Sequence, residues 1–376
     1  MKPLFKNSVT ILHVAGIPIR LHISFLLILG FLVLVIGNNI GAIADMAGIA
    51  GEELTANPFL LGLILAILLF TSIALHELAH SFVARSQGIE IREITLMLLG
   101  GVAQMRNEGD DKDEVWMAFA GPLFSLVFGA LLLYAVRPLA ARMMADVHLV
   151  VYYLGFMNIF LGFFNLLPAF PSDGGRILRS LIARRTSYLQ ATRIATSVGK
   201  AFAILFGVVG FVYGHLFLIL IAFFIYIGAT QEYQFNVVKD AFSDFRVRDL
   251  MTADVSTVTQ DMTVAELLEL MHRERHSGYP VMDDQSRLVG CVTLHDVRAL
   301  GDDTPGSTPI GDIMNCELIT IRPQDELFYA FKKLSEADVG RLMVVEDGQL
   351  RGILTRSDIM KAYRLRALQD LRRAAP

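Results

Sequence analysis

The sequence predicts a polytopic α-helical membrane domain followed by a cytosolic tandem of small α/β modules. Three observations predict this class. Hydrophobic residues form 54% of the 376 and charged residues only 19%, and the mean hydropathy is +0.51, a balance outside that of ordinary soluble domains. Apolar runs long enough to cross a bilayer recur up to about residue 235, broken by short polar loops. From about Arg246 the pattern changes to short strands and helices, and it occurs twice. The resulting partition is a membrane domain over 1–235, modules over 246–303 and 309–365, and a tail over 366–376.

A bilayer core about 30 Å thick takes roughly 20 apolar residues per helix. Six candidate spans lie near 22–37, 59–84, 115–136, 148–168, 194–213 and 215–233. Before the first, residues 16–24 alternate apolar positions around Pro18, which reads as a short extended piece at the membrane interface, with His22 a packing or hydrogen-bonding residue. Lys2, Lys6 and Arg20 precede this span, whereas the loop 38–58 carries Asp45, Glu52 and Glu53 and no Lys or Arg. That asymmetry places the loop outside and the amino terminus in the cytosol. Six crossings return the chain to the cytosolic side, in keeping with Arg85, Arg92, Arg106 and Lys112 after the second span and Arg176, Arg179, Arg184 and Arg185 after the fourth; Arg137 and Arg142 are the exception. A cleaved signal peptide ending near Gly41-Ala-Ile-Ala44 competes for the first run, but the long polar lead-in and Arg20 are atypical of one.

The second span contains His76, Glu77 and His80 within the apolar run that begins near Phe59. Residues four apart on a helix share a face, so both imidazoles can reach one metal ion with a carboxylate beside them, the HExxH arrangement of zinc hydrolases. Residues 88–103 then alternate over Ile89, Ile91 and Ile94 and end around Gly100 and Gly101, predicting strands joined by a tight turn. Backbone outside a helix is tolerated at membrane depth only where it is buried in protein or lines a wet cavity, so this loop marks a cavity; a hairpin on the cytosolic surface is the alternative. Asp110, Asp111, Asp113 and Glu114 read as caps of the third span. Ala120-Gly-Pro-Leu-Phe-Ser125 places small residues and a proline inside that span, for close helix contact or a kink.

The fourth span ends in Asn165-Leu-Leu-Pro-Ala-Phe-Pro-Ser-Asp-Gly-Gly-Arg176. Pro168 and Pro171 stop the helix, so Asp173 is expected on unwound backbone that can turn its carboxylate inward. Asn165, still at membrane depth, is a polar amide that needs a partner or a task. A zinc hydrolase site takes three protein ligands and keeps one position open. His76 and His80 supply two, and Asp173 is the best placed acidic residue for the third, with Glu90, Glu93 and His148 as alternatives. Glu77 is then the base that takes a proton from the attacking water and hands it to the leaving amine.

HELAH in a second span, the glycine-paired loop, Gly121-Pro122 and NLLPAFPSDGG together resemble the site-2 protease family of zinc intramembrane metalloproteases over essentially the whole membrane half. The resemblance implies that His76, His80 and Asp173 bind one zinc ion per chain, that Glu77 is catalytic, and that Asn165 assists by contacting substrate near the scissile bond. It also implies that the loop at Gly100, Gly101, Val102 and Ala103 re-enters the membrane and receives the substrate as an added strand. The physical logic agrees, since a transmembrane helix must unwind before water can attack it and an open strand edge offers replacement backbone bonds. The sequence shows no insertion with the size and patterning of a PDZ domain between spans.

In the soluble half, Asp249-Leu-Met251 and Asp312-Ile-Met314 correspond, as do Gly290–Asp296 and Gly352–Asp358. Each copy reads strand, helix, strand, strand, helix. The copies resemble CBS domains, whose tandem pairs commonly bind adenosine nucleotides, and the resemblance points to the site-2 protease subgroup that carries them. Through its pattern Thr293 and Thr355 would meet phosphate and Asp296 and Asp358 the ribose of ATP, ADP or AMP. A hydroxyl and a carboxylate at a helix start suit an N-cap without ligand equally well. Cys291 and Cys316, the only cysteines, read as reduced core residues. With a net charge of −4, the basic residues Arg184, Arg185 and Lys239 read as membrane anchors and not as a nucleic-acid surface. Arg364, Arg366, Arg372 and Arg373 read as a helix end or an interface.

The expected protein is thus a multi-pass zinc endopeptidase of the cell membrane that cuts a transmembrane segment of another membrane protein. A cytosolic CBS pair that answers to adenine nucleotide is expected to control it and to offer a surface for homodimers. A CBS-regulated transporter or channel would need a polar path across the bilayer, whereas the polar membrane residues converge on one locus. An inactive scaffold would not need His76, Glu77, His80 and Asp173 intact.

Overall fold

The computed structural model describes residues 8–50, 53–98, 100–105, 114–299 and 306–362, without the side chain of Met105. Lys2, Lys6, Arg106, Asp110, Asp111, Lys112, Asp113 and the tail arginines lie outside the described residues. The chain divides into two units between Asn236 and Val237.

In the first unit, the alternating lead-in forms a hairpin of β1 (Ser8–Val14) and β2 (Ile17–His22), turning through Ala15 and Gly16. The first apolar run is not one straight helix: α1 (Ser24–Asn38) and α2 (Ile40–Ala47) meet at a 64° bend around Asn39. Next comes α3 (Pro58–Ser86), 29 residues long, capped by Asn57, whose side chain accepts from the backbone N–H of Phe59 and Leu60. Helices α1 and α3 approach until backbone nearly meets backbone, since a Cβ on Gly62 would lie 2.8 Å from the Val33 carbonyl oxygen.

Residues after α3 form strands as expected, β3 (Ile91–Met97) and β4 (Gly100–Met105). The glycine pair opens β4, and Gly100 takes φ +120°, which favours glycine. The strands join the lead-in hairpin in one four-stranded sheet of order β1-β2-β3-β4, in which β2 and β3 are parallel, with Ile19 opposite Ile94 and Leu21 opposite Leu96. Strand β4 pairs only with β3 and forms one edge of the sheet among the described residues.

Helix α4 (Glu114–Leu131) runs through Pro122 into a π-helical stretch, Leu132–Val136, and α5 (Arg137–Ala140). Arg137, the exception to the charge pattern, donates to His148 and to the Ala47 carbonyl. The remaining helices are α6 (Ala145–Asn165), α7 (Asp173–Ala183), α8 (Tyr188–Val212) and α9 (Leu216–Phe242). Among the described residues, five helical stretches are long and apolar enough to cross a membrane, or six if the bent α1–α2 pair is one span.

The second unit repeats one plan. The first copy holds β5 (Val258–Thr259), α10 (Val264–Glu274), β6 (Gly278–Met282), β7 (Leu288–Thr293) and α11 (Leu294–Ala299). The second holds β8 (Thr320–Ile321), α12 (Leu327–Glu336), β9 (Arg341–Glu346), β10 (Gln349–Thr355) and a helix over 356–362. In each sheet the first strand runs parallel to the middle one and the third antiparallel. Val258 faces Val281 as Ile321 faces Val344, so the repeat in sequence is a repeat in register. Cys291 is buried against Met343 and Ile353 between the copies, and burial pushes its thiol up to about 11. Cys316 corrects the expectation, because it is exposed and not a core residue; both thiols are free.

Candidate metal centre

His76 and His80 lie one turn apart on α3 and are 3% and 8% exposed, deep burial for two imidazoles. Asp173 reaches them from 97 residues away in sequence. It does so from the first residue of α7, with Ser172 at the N-cap, so the expectation of unwound backbone is corrected. The helix restarts at once because Ser172 ties off the intervening turn, its hydroxyl 2.6 Å from the Leu167 carbonyl and 2.5 Å from that of Ala169. Behind Asp173, a Cβ on Gly175 would lie 2.7 Å from the Phe170 nitrogen, so only glycine lets the new helix fold back on the turn.

Three atoms converge: Asp173 Oδ2 lies 3.2 Å from His76 Nε2 and 3.2 Å from His80 Nε2, and the two nitrogens are 3.2 Å apart. Among the described residues this is the only group of three His, Cys, Asp or Glu side chains placed to share an ion. Tetrahedral ligands at about 2.0–2.1 Å from zinc lie roughly 3.3 Å from one another, so the spacing and the two-nitrogen, one-oxygen donor set both fit that metal. The outward nitrogens are occupied as well. His80 Nδ1 lies 2.6 Å from the Met117 carbonyl oxygen, which can only accept, so Nδ1 carries the proton and Nε2 presents its lone pair. His76 Nδ1 lies 2.9 Å from Ser125 Oγ. Such outer partners fix ring orientation at metal sites.

Helix α4 supplies both partners and also the space. A Cβ on Gly121 would sit 2.6 Å from His76 Nε2 and closer still to His80 Nε2. The absent side chain therefore leaves a cradle in front of both Nε2 atoms. On the other side, a Cβ on Gly101 of β4 would lie 2.6 Å from Glu77 Cγ and 3.3 Å from Cδ, so the edge strand runs against the half-buried carboxylate arm of Glu77. Val102, next along the strand, is exposed.

The other residues singled out by sequence lie elsewhere. Asn165 ends α6 and donates to the Leu161 carbonyl of its own helix, 3.0 Å away, and not to the triad. His22 Nδ1 lies 2.8 Å from Ser24 Oγ. Glu93 pairs with Arg20 at 2.9 Å and accepts from Gln104. His148 is held by Arg137, and Glu90 is outside the triad. In the second unit Thr293 Oγ1 donates to Asp296 Oδ2 at 2.6 Å, Thr355 and Asp358 do the same at 2.6 Å, and each Asp accepts from the Thr backbone N–H. These are N-terminal helix caps built identically in both copies. Each engages Oδ2, while Asp358 Oδ1 also meets Lys361 at 3.3 Å.

Sequence reasoning missed several groups. Asn158 is fully buried and donates to Ser72 Oγ at 3.0 Å, linking α6 to α3 one turn before His76. Arg179, read as one of the cytosolic-side charges after the fourth span, is 4% exposed and lies between Glu114 and Glu232. Ser125 carried a signal, one turn beyond Gly121 on the same helix. Arg179 carried none, because its partners are 65 and 53 residues away.

Comparison with known proteins yields two family matches, Peptidase family M50 over residues 64–143 and 137–206 and the CBS domain over 247–302 and 310–365. The chain is 34% identical over 367 residues to a zinc metalloprotease of Methanocaldococcus jannaschii, covering 96% of this chain and 98% of that protein. It is 32% identical over 381 residues to Rip3 of Mycobacterium tuberculosis, covering 96% and 94%. Among solved structures, a site-2 protease from Methanocaldococcus jannaschii matches at 37% identity and a TM-score of 0.43, covering 60% of this chain and 95% of that one.

Proposed function

Because the chain belongs to Peptidase family M50, the site-2 protease family of zinc metalloproteases, in the subgroup with a carboxy-terminal CBS pair, we propose that it hydrolyses a peptide bond within or near a transmembrane segment of another membrane protein. One observation carries this reading: the convergence of His76, His80 and Asp173 with Glu77 on the same helix and an edge strand beside it. His76, His80 and Asp173 would hold the zinc, since their three ligand atoms converge on one point. When bound, the ion lowers the pKa of water towards about 7 and polarises the substrate carbonyl. Glu77 takes the proton from the attacking water and delivers it to the leaving nitrogen; its arm lies against β4, where the missing side chain of Gly101 leaves room for it.

The segment Gly100, Gly101, Val102 and Ala103 re-enters the membrane and binds the unwound substrate by strand addition, with its register presenting the scissile bond to Glu77. Asn165 turns from its own helix to the substrate backbone near that bond, exchanging one hydrogen bond for another. Counting α1–α2 as one span gives six crossings over 1–235, with the amino terminus and the CBS units 246–303 and 309–365 in the cytosol. The CBS pair binds ATP, ADP or AMP through Thr293, Asp296, Thr355 and Asp358, whose capping bonds hold the hydroxyl and carboxylate at the helix starts where phosphate and ribose are received. The pair also serves as a homodimer surface.

Glu77→Gln tests the chemistry. The variant retains zinc and loses cleavage of a reconstituted single-span substrate; undiminished turnover refutes the assigned role. Calorimetry of the whole protein with each nucleotide tests the regulatory part, and absence of heat with all three leaves the CBS pair structural.

A further inference from the structure

Arg179 is among the most deeply buried charges among the described residues, and its surroundings are arranged around it. Its Nε and Nη2 donate to the two oxygens of Glu114 on α4 at 3.2 and 2.5 Å, a bidentate pair. Its Nη1 donates to Glu232 Oε1 on α9 at 2.5 Å, and that oxygen also accepts from Asn236 at 3.1 Å. The guanidinium carbon lies 5.0 Å from the ring centre of Phe170 and 4.8 Å from that of Tyr188. Each nitrogen of the guanidinium therefore donates to a carboxylate, and the centres of two aromatic rings lie within 5.0 Å of its carbon.

The position of this knot matters more than its strength. Arg179 is on α7, the helix that begins with Asp173. Phe170, stacked on it, belongs to the turn that delivers Asp173, and Gly175 packs against Phe170. Glu114 is on the first turn of α4, one turn ahead of Met117, whose carbonyl holds His80, and in the same helix as Gly121 and Ser125. The Arg179–Glu114 pair thus joins the element that carries the aspartate to the element that orients the two histidines.

We propose that Arg179 is a positioning residue of the metal centre, setting the distance between Asp173 and the imidazole pair by locking α7 to α4 through Glu114 and to α9 through Glu232. The inference rests on the reading of His76, His80 and Asp173 as zinc ligands. Metal sites respond to sub-ångström changes in ligand placement, and loss of an outer partner weakens metal binding by about tenfold to a hundredfold.

The test uses the full-length protein in lipid nanodiscs, measuring the zinc dissociation constant against a chromophoric chelator, and kcat and KM on a single-span substrate. Arg179→Met is expected to weaken zinc about tenfold or more and to lower kcat while KM stays within about twofold; Arg179→Lys, which keeps the charge but not the fork, recovers part of both. A folded Arg179→Met protein with wild-type zinc affinity and kcat, and only a lower melting temperature, overturns the proposal. If Arg179→Met does not fold, Glu114→Gln decides by the same two measurements, since it keeps the shape of the pair and removes its charge. His76→Ala is the control for the underlying reading. If it retains zinc, the metal assignment fails, an outcome distinct from unchanged zinc affinity in the Arg179 variants.

Discussion

Gly121→Ala adds a single methyl group at the point where α4 faces both histidines. That methyl would lie 2.6 Å from His76 Nε2 and nearer still to His80 Nε2, whereas ordinary contact begins near 3.4 Å, so His76 Nε2 must retreat by 3.4 − 2.6 = 0.8 Å. Neither ring can swing freely. His76 is held at Nδ1 by Ser125 and His80 by the Met117 carbonyl, and releasing each bond costs about 1 kcal/mol. Metal–ligand distances hold to about ±0.2 Å, so the displacement is roughly four times the tolerance. Zinc affinity should fall by more than the loss of a single outer partner causes, about a hundredfold or more. Alanine is about 1 kcal/mol better than glycine inside a helix, which opposes the packing loss. The metal-free variant should therefore melt close to the metal-free parent while the zinc-loaded proteins differ. Chelator competition and thermal melts with and without zinc make the comparison. A Gly121→Ala protein that binds zinc at wild-type affinity and cleaves normally would refute the cradle argument.

Gly101→Val crowds Glu77 from the strand side, with its Cβ 2.6 Å from Glu77 Cγ; it should abolish cleavage yet leave zinc content at one per chain, the opposite pattern to Gly121→Ala. Ser125→Ala removes the partner of His76 Nδ1 and should weaken zinc by about tenfold to a hundredfold with little change in KM, read by the same competition assay. Native alkylation near neutral pH should modify Cys316 and spare Cys291, whose thiol is buried and pushed up to about 11; equal labelling by intact mass would show that the two copies do not pack as described. Because the unfolded thiol ionises near 9.0, Cys291 favours the folded state below that pH and this contribution is lost as pH rises towards 11.

Local and periodic features were legible in the sequence, and distant side-chain partnerships were not. His76 and His80 could be placed on one face because four residues is a fixed helical spacing, and the second unit's repeat in sequence became a repeat of register at Val258–Val281 and Ile321–Val344. The strands after α3 were visible from alternation, but their parallel pairing with β2 was not, since Ile19 meets Ile94 only through the packing of the helices between them. Asp173 was expected on unwound backbone from Pro168 and Pro171, but the Ser172 hydroxyl ties off the turn at the Leu167 and Ala169 carbonyls and the helix restarts at Asp173. Arg179 reads like any cytosolic arginine until the fold brings Glu114 and Glu232 to it. Composition cannot distinguish a charge that anchors a membrane edge from one enclosed by three helices.

The contact between α3 and α7 has a consequence beyond chemistry. An ion held by His76 and Asp173 would tie together two points separated by 97 residues of chain. In entropic terms such a tie resembles a covalent cross-link, and closing a loop of that length is worth up to about 5 kcal/mol relative to the open chain. The ion would in this sense be a clasp between two distant helices. Removing the ion would then loosen the protein as well as silence it, so the zinc-free chain should melt below the zinc-loaded one.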